Sequence, residues 1–427
     1  MIELLNLILQ LLVFVWIFSF PLNTFGSNSF FYQKELSIYD KYSINIIFWV
    51  TIYLILSFFL ISLKFVFIIN LILPLFFFFY KKIEIKNINN TFLVFLLINL
   101  SLFSVIASDV KLEWDGQAGW IYRVLNFYQG FSFENLKNVP ADSNYPHLGS
   151  YLWAFFWKNS LFDHEYTGRL IFVFIFLLSI FSIFNPKKIA DYESFVLIFL
   201  IIFLSYDKYL FSGYQEYLTF SFLIFFFKLF FLEKKNLFLF LIMLMAGNAL
   251  MWFKNEGLVF FCILILSFFI KKPFFQKKNI LLFFFAGLLV LNKVIIFNYF
   301  NDNFYLGWSG YKSVSLHNLF NFDRLFERTL PIIISILVGC FKYPIIIIFL
   351  LLYFFSCIHK KRIHFDSYII FFILNIALIF YIYYFTTYNN WKVFMSQAVD
   401  RLLFQTMGIY IFYIKEQLKF FRLKIKF

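Results

Sequence analysis

The sequence predicts an all-α integral membrane protein with about thirteen transmembrane helices, within a range of roughly eleven to thirteen. Three observations predict it. Hydrophobic residues make up 62% of the 427 and aromatic residues 26%, against about 45–50% apolar in ordinary soluble domains, and mean hydropathy is +0.81. The apolar residues fall in continuous runs of about the length a helix needs to cross a hydrocarbon core of roughly 30 Å, without the alternation of a barrel. Basic residues are segregated into alternate loops, as the positive-inside bias requires.

The runs, in order, are Leu4–Pro21, Ser43–Ile61, Phe65–Tyr80, Thr91–Ala107, Gly168–Phe184, Ser194–Ser205, Thr219–Phe231, Leu237–Phe253, Leu258–Ile270, Ile280–Phe297, Thr329–Cys357, Tyr368–Phe385 and Leu402–Tyr413. The first lacks a basic leader and a small-residue cleavage site, so it is expected to be a retained span. Thr329–Cys357 contains Gly339, Lys342 and Pro344. It is too short for two passes, and one broken or tilted helix is expected. Residues 1–90 are read as spans preceding a core that covers 91–427.

One set of loops carries Lys81, Lys82 and Lys86, then Lys187 and Lys188, Lys234 and Lys235, Lys271, Lys272, Lys277 and Lys278, and Lys360, Lys361 and Arg362, followed by the basic tail. These belong in the cytoplasm, which places the C-terminus there and the N-terminus outside. A bacterial inner (plasma) membrane is the expected location. The net charge of +14 is a topology signal, since basic residues spread over short loops make no nucleic-acid stripe. Cys262, Cys340 and Cys357 have no metal spacing and are expected to be buried packing residues. The excess of Phe, Ile, Lys and Asn suggests an AT-rich genome.

The other side carries the polar motifs. The largest outer loop, 108–167, opens with Asp109, Glu113 and Asp115 at the mouth of the bundle. Nearby low dielectric suits such a carboxylate to act as a base, although each is equally readable as a solvated helix-end charge. Trp114, Tyr122 and Leu125, with Trp120 and Ile121, suggest an amphipathic helix lying along the interface. Asn144, Tyr145, Pro146 and His147 follow, with a helix expected to begin near Pro146. Its free N–H groups and His147 are candidates for holding an anion, against a plain turn with an interfacial histidine. Gly213, Tyr214, Gln215 and Glu216 form a third motif.

The fourth is Lys254, Asn255, Glu256 and Gly257 between two spans. Charges at membrane depth are expensive and usually serve function; the competing account is a self-compensating Lys254–Glu256 pair. Asp400 and Arg401 mark the outer mouth of the last span. Arg401 is either a bidentate phosphate ligand or a helix-end anchor. Lys228 and Lys293 lie near span ends, where they are expected to snorkel. The outer loop 298–328, with Trp308, Tyr311 and His317, is a candidate cover.

The order Trp114-Asp115-Gly116, Asn144-Tyr145-Pro146, Gly213-Tyr214-Gln215-Glu216, Lys254-Asn255-Glu256-Gly257 and Ser396 to Gln405 resembles bacterial multi-spanning glycosyltransferases of the GT-C superfamily. Among its relatives are the protein mannosyltransferases and lipid A sugar transferases. The family's Asp-Tyr-Pro stands here as Asn144-Tyr145-Pro146 and its Gly-Tyr-x-Asp as Gly213 to Glu216. About ninety residues precede the helix that leads into the acidic loop, whereas in the simplest members that helix is the first.

The resemblance implies a membrane hexosyl- or pentosyltransferase that takes sugar from a polyprenyl-phosphate donor to a glycan, lipid or protein acceptor at the periplasmic face. Asp115 is then the base, with Glu113 next. Lys254, Arg401 and His147 would hold the donor phosphate, and Glu216, Glu256, Asn255 and Tyr145 would bind or orient substrate. The absence of a nucleotide-binding unit favours a lipid-linked donor. No carboxylate spacing demands a metal, which leaves a divalent ion open, and no nucleic-acid partner is expected. The alternatives are a transporter or flippase for a lipid-linked sugar, whose ionisable groups would line the spans, and an O-antigen ligase or polymerase, expected to rely on a large late outer loop.

Overall fold

The computed structural model describes residues 2–22, 36–81, 90–139, 145–189, 191–206, 211–231, 237–271, 277–300, 322–361, 365–386 and 390–425. Asn144, the 207–208 charges, most of the 298–328 loop with Trp308, Tyr311 and His317, and Lys82, Lys86, Lys234, Lys235, Lys272 and Arg362 lie outside them. Every regular element among the described residues is helical. The chain divides into two compact units, Met1–Lys254 and Asn255–Phe427.

The first unit contains α1 (Ile2–Ile17), α2 (Ile38–Leu56), α3 (Leu63–Lys81), α4 (Asn90–Ser108), α5 (Ile121–Tyr128), α6 (Leu148–Lys158), α7 (Tyr166–Phe184), α8 (Tyr192–Ser205), α9 (Glu216–Phe231) and α10 (Leu237–Phe253). Helix α2 starts at a reciprocal cap: Ser37 Oγ accepts from the Asp40 backbone N–H while the Asp40 carboxylate accepts from Ser37 N–H, satisfying donors that a helix start leaves open. Beyond its first turn, which carries Arg169, helix α7 is apolar save for two serines, and every one of its residues is buried. A helix without a polar face must be enclosed by others, and α7 packs against α1, α2, α4, α6, α8 and α9. Edge-on aromatic contacts fill the spaces, as where Phe14 meets Phe156 at 4.9 Å and Phe95 meets Phe181 at 5.2 Å.

In the second unit are α11 (Glu256–Lys271), α12 (Lys277–Phe300), α13 (Phe322–Lys342), α14 (Pro344–Lys360), α15 (Ser367–Phe385) and α16 (Trp391–Ile425). Helix α16 packs on α13, α14 and α15, and α11 on α12 and α15. The expected break occurs at Tyr343: α13 and α14 are bent by 96°. Pro344 stands at the first position of α14, where its missing N–H costs nothing and its ring prevents the preceding helix from continuing.

Each of the thirteen apolar runs centres on one of these helices, or on the bent pair. The count of thirteen spans is not supported. Three helices, Asn90–Ser108, Tyr166–Phe184 and Ser367–Phe385, are long and apolar enough to cross a membrane among the described residues, or up to four if α13 and α14 form one span. Length explains several of the others: the 14 residues of α8 rise about 21 Å, short of a core of roughly 30 Å. The cysteine expectation also needs correction. Of the three, Cys340 is buried, whereas Cys262 is exposed and Cys357 half-exposed, because these two stand on outward-turned faces of α11 and α14.

Candidate functional site

The acidic loop leaves α4 without regular structure and turns helical at Trp114, and residues Gly116–Trp120 form a π-helical turn that continues into α5. Such turns widen the helix by one residue and recur at functional sites. The expected amphipathic helix is present: Trp120, Arg123, Val124 and Phe127 are buried, while Trp114 and Tyr122 are exposed.

Two sequence motifs meet at a pair of glycines. Glu113 N–H donates to Ser212 O at 2.9 Å. A Cβ on Gly116 would stand 2.8 Å from Ser212 O, and one on Gly213 2.9 Å from Gly116 Cα. Gly213 also has φ +104°, a conformation that side chains with a Cβ disfavour. This approach sets Glu113 and Asp115 beside the start of the Gly213–Glu216 motif. Both carboxylates are half-buried, Glu113 with Lys111 at 3.9 Å.

From the same turn the chain reaches two further motifs. With its amide oriented to satisfy both neighbours, Gln215 donates to Phe253 O at 3.1 Å and accepts from Ser150 Oγ at 3.2 Å and Ser150 N–H at 3.3 Å. Glu216, the first residue of α9, accepts from Lys254 Nζ at 2.7 Å, with side chains 0% and 5% exposed. Lys254 therefore pairs with a residue 38 positions earlier. Four motifs, around 113–116, 145–150, 213–216 and 252–254, thus come together in one unit.

His147 stands at the start of α6 and is fully buried. Its Nε2 lies 2.6 Å from Ser57 Oγ, and its ring is enclosed by Phe58, Phe127, Phe133 and Trp252, the nearest centroid at 4.4 Å. This enclosure packs the ring among four aromatic neighbours. Tyr145 stacks edge-on against Trp120 at 5.9 Å, with the Arg123 guanidinium 5.3 Å from the Trp120 centroid and 5.4 Å from that of Tyr145.

The remaining candidates belong to the second unit. Asn255 is buried and its carbonyl accepts from Leu258 N–H. Glu256 occupies the first turn of α11 and interacts electrostatically with Lys293. Arg401 is half-buried on α16, next to Asp400, which pairs with Lys342 at 2.8 Å. The expectation that Lys293 snorkels is corrected: it is 2% exposed.

Two buried or part-buried ion pairs lie at opposite ends of α9 in the first unit. One end holds Ser57, His147, Glu216 and Lys254. The other holds Asp40, Ser182 and Lys228, where Lys228 Nζ pairs with the Asp40 carboxylate and donates to Ser182 O. A cavity of about 20 Å³ beside that pair has room for one water. Lys228 is thus tied into an ion pair between helices rather than snorkelling.

Electrostatics at the motif-bearing end have two clear causes. The Tyr128 hydroxyl donates to both oxygens of Asp163, at 2.7 and 2.6 Å, and that bond, with burial and the carboxylate charge, pushes the phenol up to about 12. Burial raises Glu165 above the usual carboxylate range, opposed by Arg169. Among the described residues no group of three His, Cys, Asp or Glu side chains is placed to hold a metal.

Sequence reasoning missed Arg123 and Arg169, which are 2% and 1% exposed. A signal was present: the chain has only seven arginines against thirty lysines, so each arginine stands where lysine coding is the default. No protein-family model, no curated protein and no solved structure matches this chain, and its functional reading rests on these residues.

Proposed function

We propose that this chain is a membrane-embedded glycosyltransferase that moves a sugar from a polyprenyl-phosphate donor to an envelope acceptor. One observation carries the reading: the acidic Glu113–Gly116 segment adjoins the Gly213–Glu216 turn, whose Glu216 holds Lys254. Such a reaction needs a base for the acceptor hydroxyl and a cation for the departing phosphate. Asp115 takes the hydroxyl proton as the acceptor oxygen attacks the anomeric carbon. The bond from that carbon to the phosphate oxygen breaks, and the electron pair leaves on the phosphate. With no covalent intermediate the anomeric centre inverts. Lys254 meets the leaving phosphate by exchanging Glu216 for it, since both side chains are enclosed in the donor-free state. The protein is polytopic, with this end of the first unit facing the periplasm of a bacterial inner membrane and the C-terminus in the cytoplasm.

A transporter for a lipid-linked sugar draws on a different observation, the burial of Lys293 within an apolar helix, since ionisable groups inside spans mark pathways. The two readings separate in liposomes supplied with radiolabelled polyprenyl-phosphate sugars and a lipid and glycan extract. Wild type should consume donor, and Asp115→Asn should lose at least about 100-fold while remaining folded and donor-bound. Label that crosses leaflets with no donor consumed would replace the transferase with the transporter.

A further inference from the structure

Arg169 lies in the first turn of α7 and is among the largest fully buried side chains. Its guanidinium presents five donors in a fixed planar fork. Nε donates to Glu165 Oε1 at 2.9 Å and Nη2 to Glu165 Oε2 at 3.0 Å, which holds the plane. The outer edge then spans two carbonyls from separate segments: Nη2 donates to Val110 O at 3.0 Å and Nη1 to Phe211 O at 3.2 Å.

Those carbonyls lie just upstream of the two halves of the candidate site. Val110 leads into Glu113 and Asp115; Phe211 leads into Gly213 and Glu216. The Glu113 to Ser212 backbone bond and the Gly116–Gly213 approach join the same segments further along, so Arg169 closes a seam that these contacts define. A lysine ammonium is a point charge on a flexible stem and cannot hold two carbonyls and a bidentate carboxylate in one plane.

We infer that Arg169 is a positioning residue that fixes the carboxylate-bearing segment 110–116 against the 211–216 turn and hence against Lys254. It touches no substrate. The inference rests on the transferase reading for its effect on turnover, although the seam itself is independent of that reading.

The test uses the full-length protein in nanodiscs as wild type, Arg169→Lys, Arg169→Met and Lys254→Met. Hydrogen exchange is followed by mass spectrometry in peptides covering 109–117 and 211–216, with 41–56 as internal control, alongside kcat and donor KM. Arg169→Met should raise exchange in both seam peptides together while the control stays unchanged. It should also lower kcat about 100-fold, the scale of an ångström of misplacement, with donor KM within about threefold. Arg169→Lys, which keeps the charge beside Glu165, should fold and show the same pattern more weakly.

Unchanged kcat per folded molecule in Arg169→Lys, with a lower melting point, would reduce Arg169 to a packing residue. A loss of donor affinity in direct binding that matches Lys254→Met would make it a ligand contact, and exchange rising in one seam peptide alone would refute the clamp. Wild type that turns over no donor would sink the transferase reading, and the exchange pattern would still decide the clamp.

Discussion

Removing one partner of the Lys254–Glu216 pair should be far more damaging than removing both. The oppositely charged atoms are 2.7 Å apart and the side chains are 5% and 0% exposed. At an effective dielectric of about 20 that separation gives about 6 kcal/mol of attraction. Desolvating two ions costs several kcal/mol each, so the pair as a whole contributes little. Truncating one partner removes the attraction and leaves the other ion's desolvation uncompensated, a loss of about 3–5 kcal/mol. Lys254→Met and Glu216→Leu should each show that loss in SDS-driven unfolding from mixed micelles, and the double variant should return to within about 1 kcal/mol of wild type. The cycle should then give a coupling energy of at least about 3 kcal/mol. Single variants that each lose under about 1 kcal/mol and simply add would show a pair that behaves as an exposed one, and the burial argument would fail. The double variant also separates folding from chemistry: it should be folded and inactive, and full transfer would remove Lys254 from the proposed site.

Other measurements address the same end of the first unit. Gly213→Ala should destabilise by about 2 kcal/mol, because φ of +104° is unfavourable for alanine and its Cβ would stand 2.9 Å from Gly116 Cα; wild-type unfolding of this variant would mean the turn relaxes freely. Gly168→Ala should be at least as damaging, since its Cβ would overlap the Trp153 carbonyl oxygen, part of the backbone of α6, and thermal melting in detergent would read it. Tyr128 should ionise near 12, seen as the difference in ultraviolet titration between wild type and Tyr128→Phe. Because its folded pKa is raised above the ordinary 10.0, the stabilisation from its bond to Asp163 is complete below pH 10 and is lost as pH rises toward 12. Asp163→Asn should bring that transition back down, and a transition near 10 in wild type would contradict the hydrogen bond.

The helices were legible because hydrophobic runs are local. Each apolar run falls on a helix, and breaks such as that at Pro344 are written in single residues. The motifs of the candidate site were legible too, since Lys254 and its neighbours stand out in an apolar context. In the first unit Glu216 and Lys228 stand at opposite ends of α9, each in an ion pair of its own, and those partners could not be read from the sequence.

What the sequence determined by itself was therefore the position of each helix and the existence of polar motifs between them. Tertiary structure decided how those parts meet: that Lys254 pairs with Glu216, that His147 is closed in by aromatic rings, that Lys293 is buried, and that Arg169 bridges Val110 and Phe211. The physical reason is that a helix such as α7, apolar on every side beyond its first turn apart from two serines and wholly buried, carries no polar face from which its neighbours can be read. Partners 38, 42 and 59 residues apart are chosen by which helices pack side by side, and local periodicity holds no record of that choice.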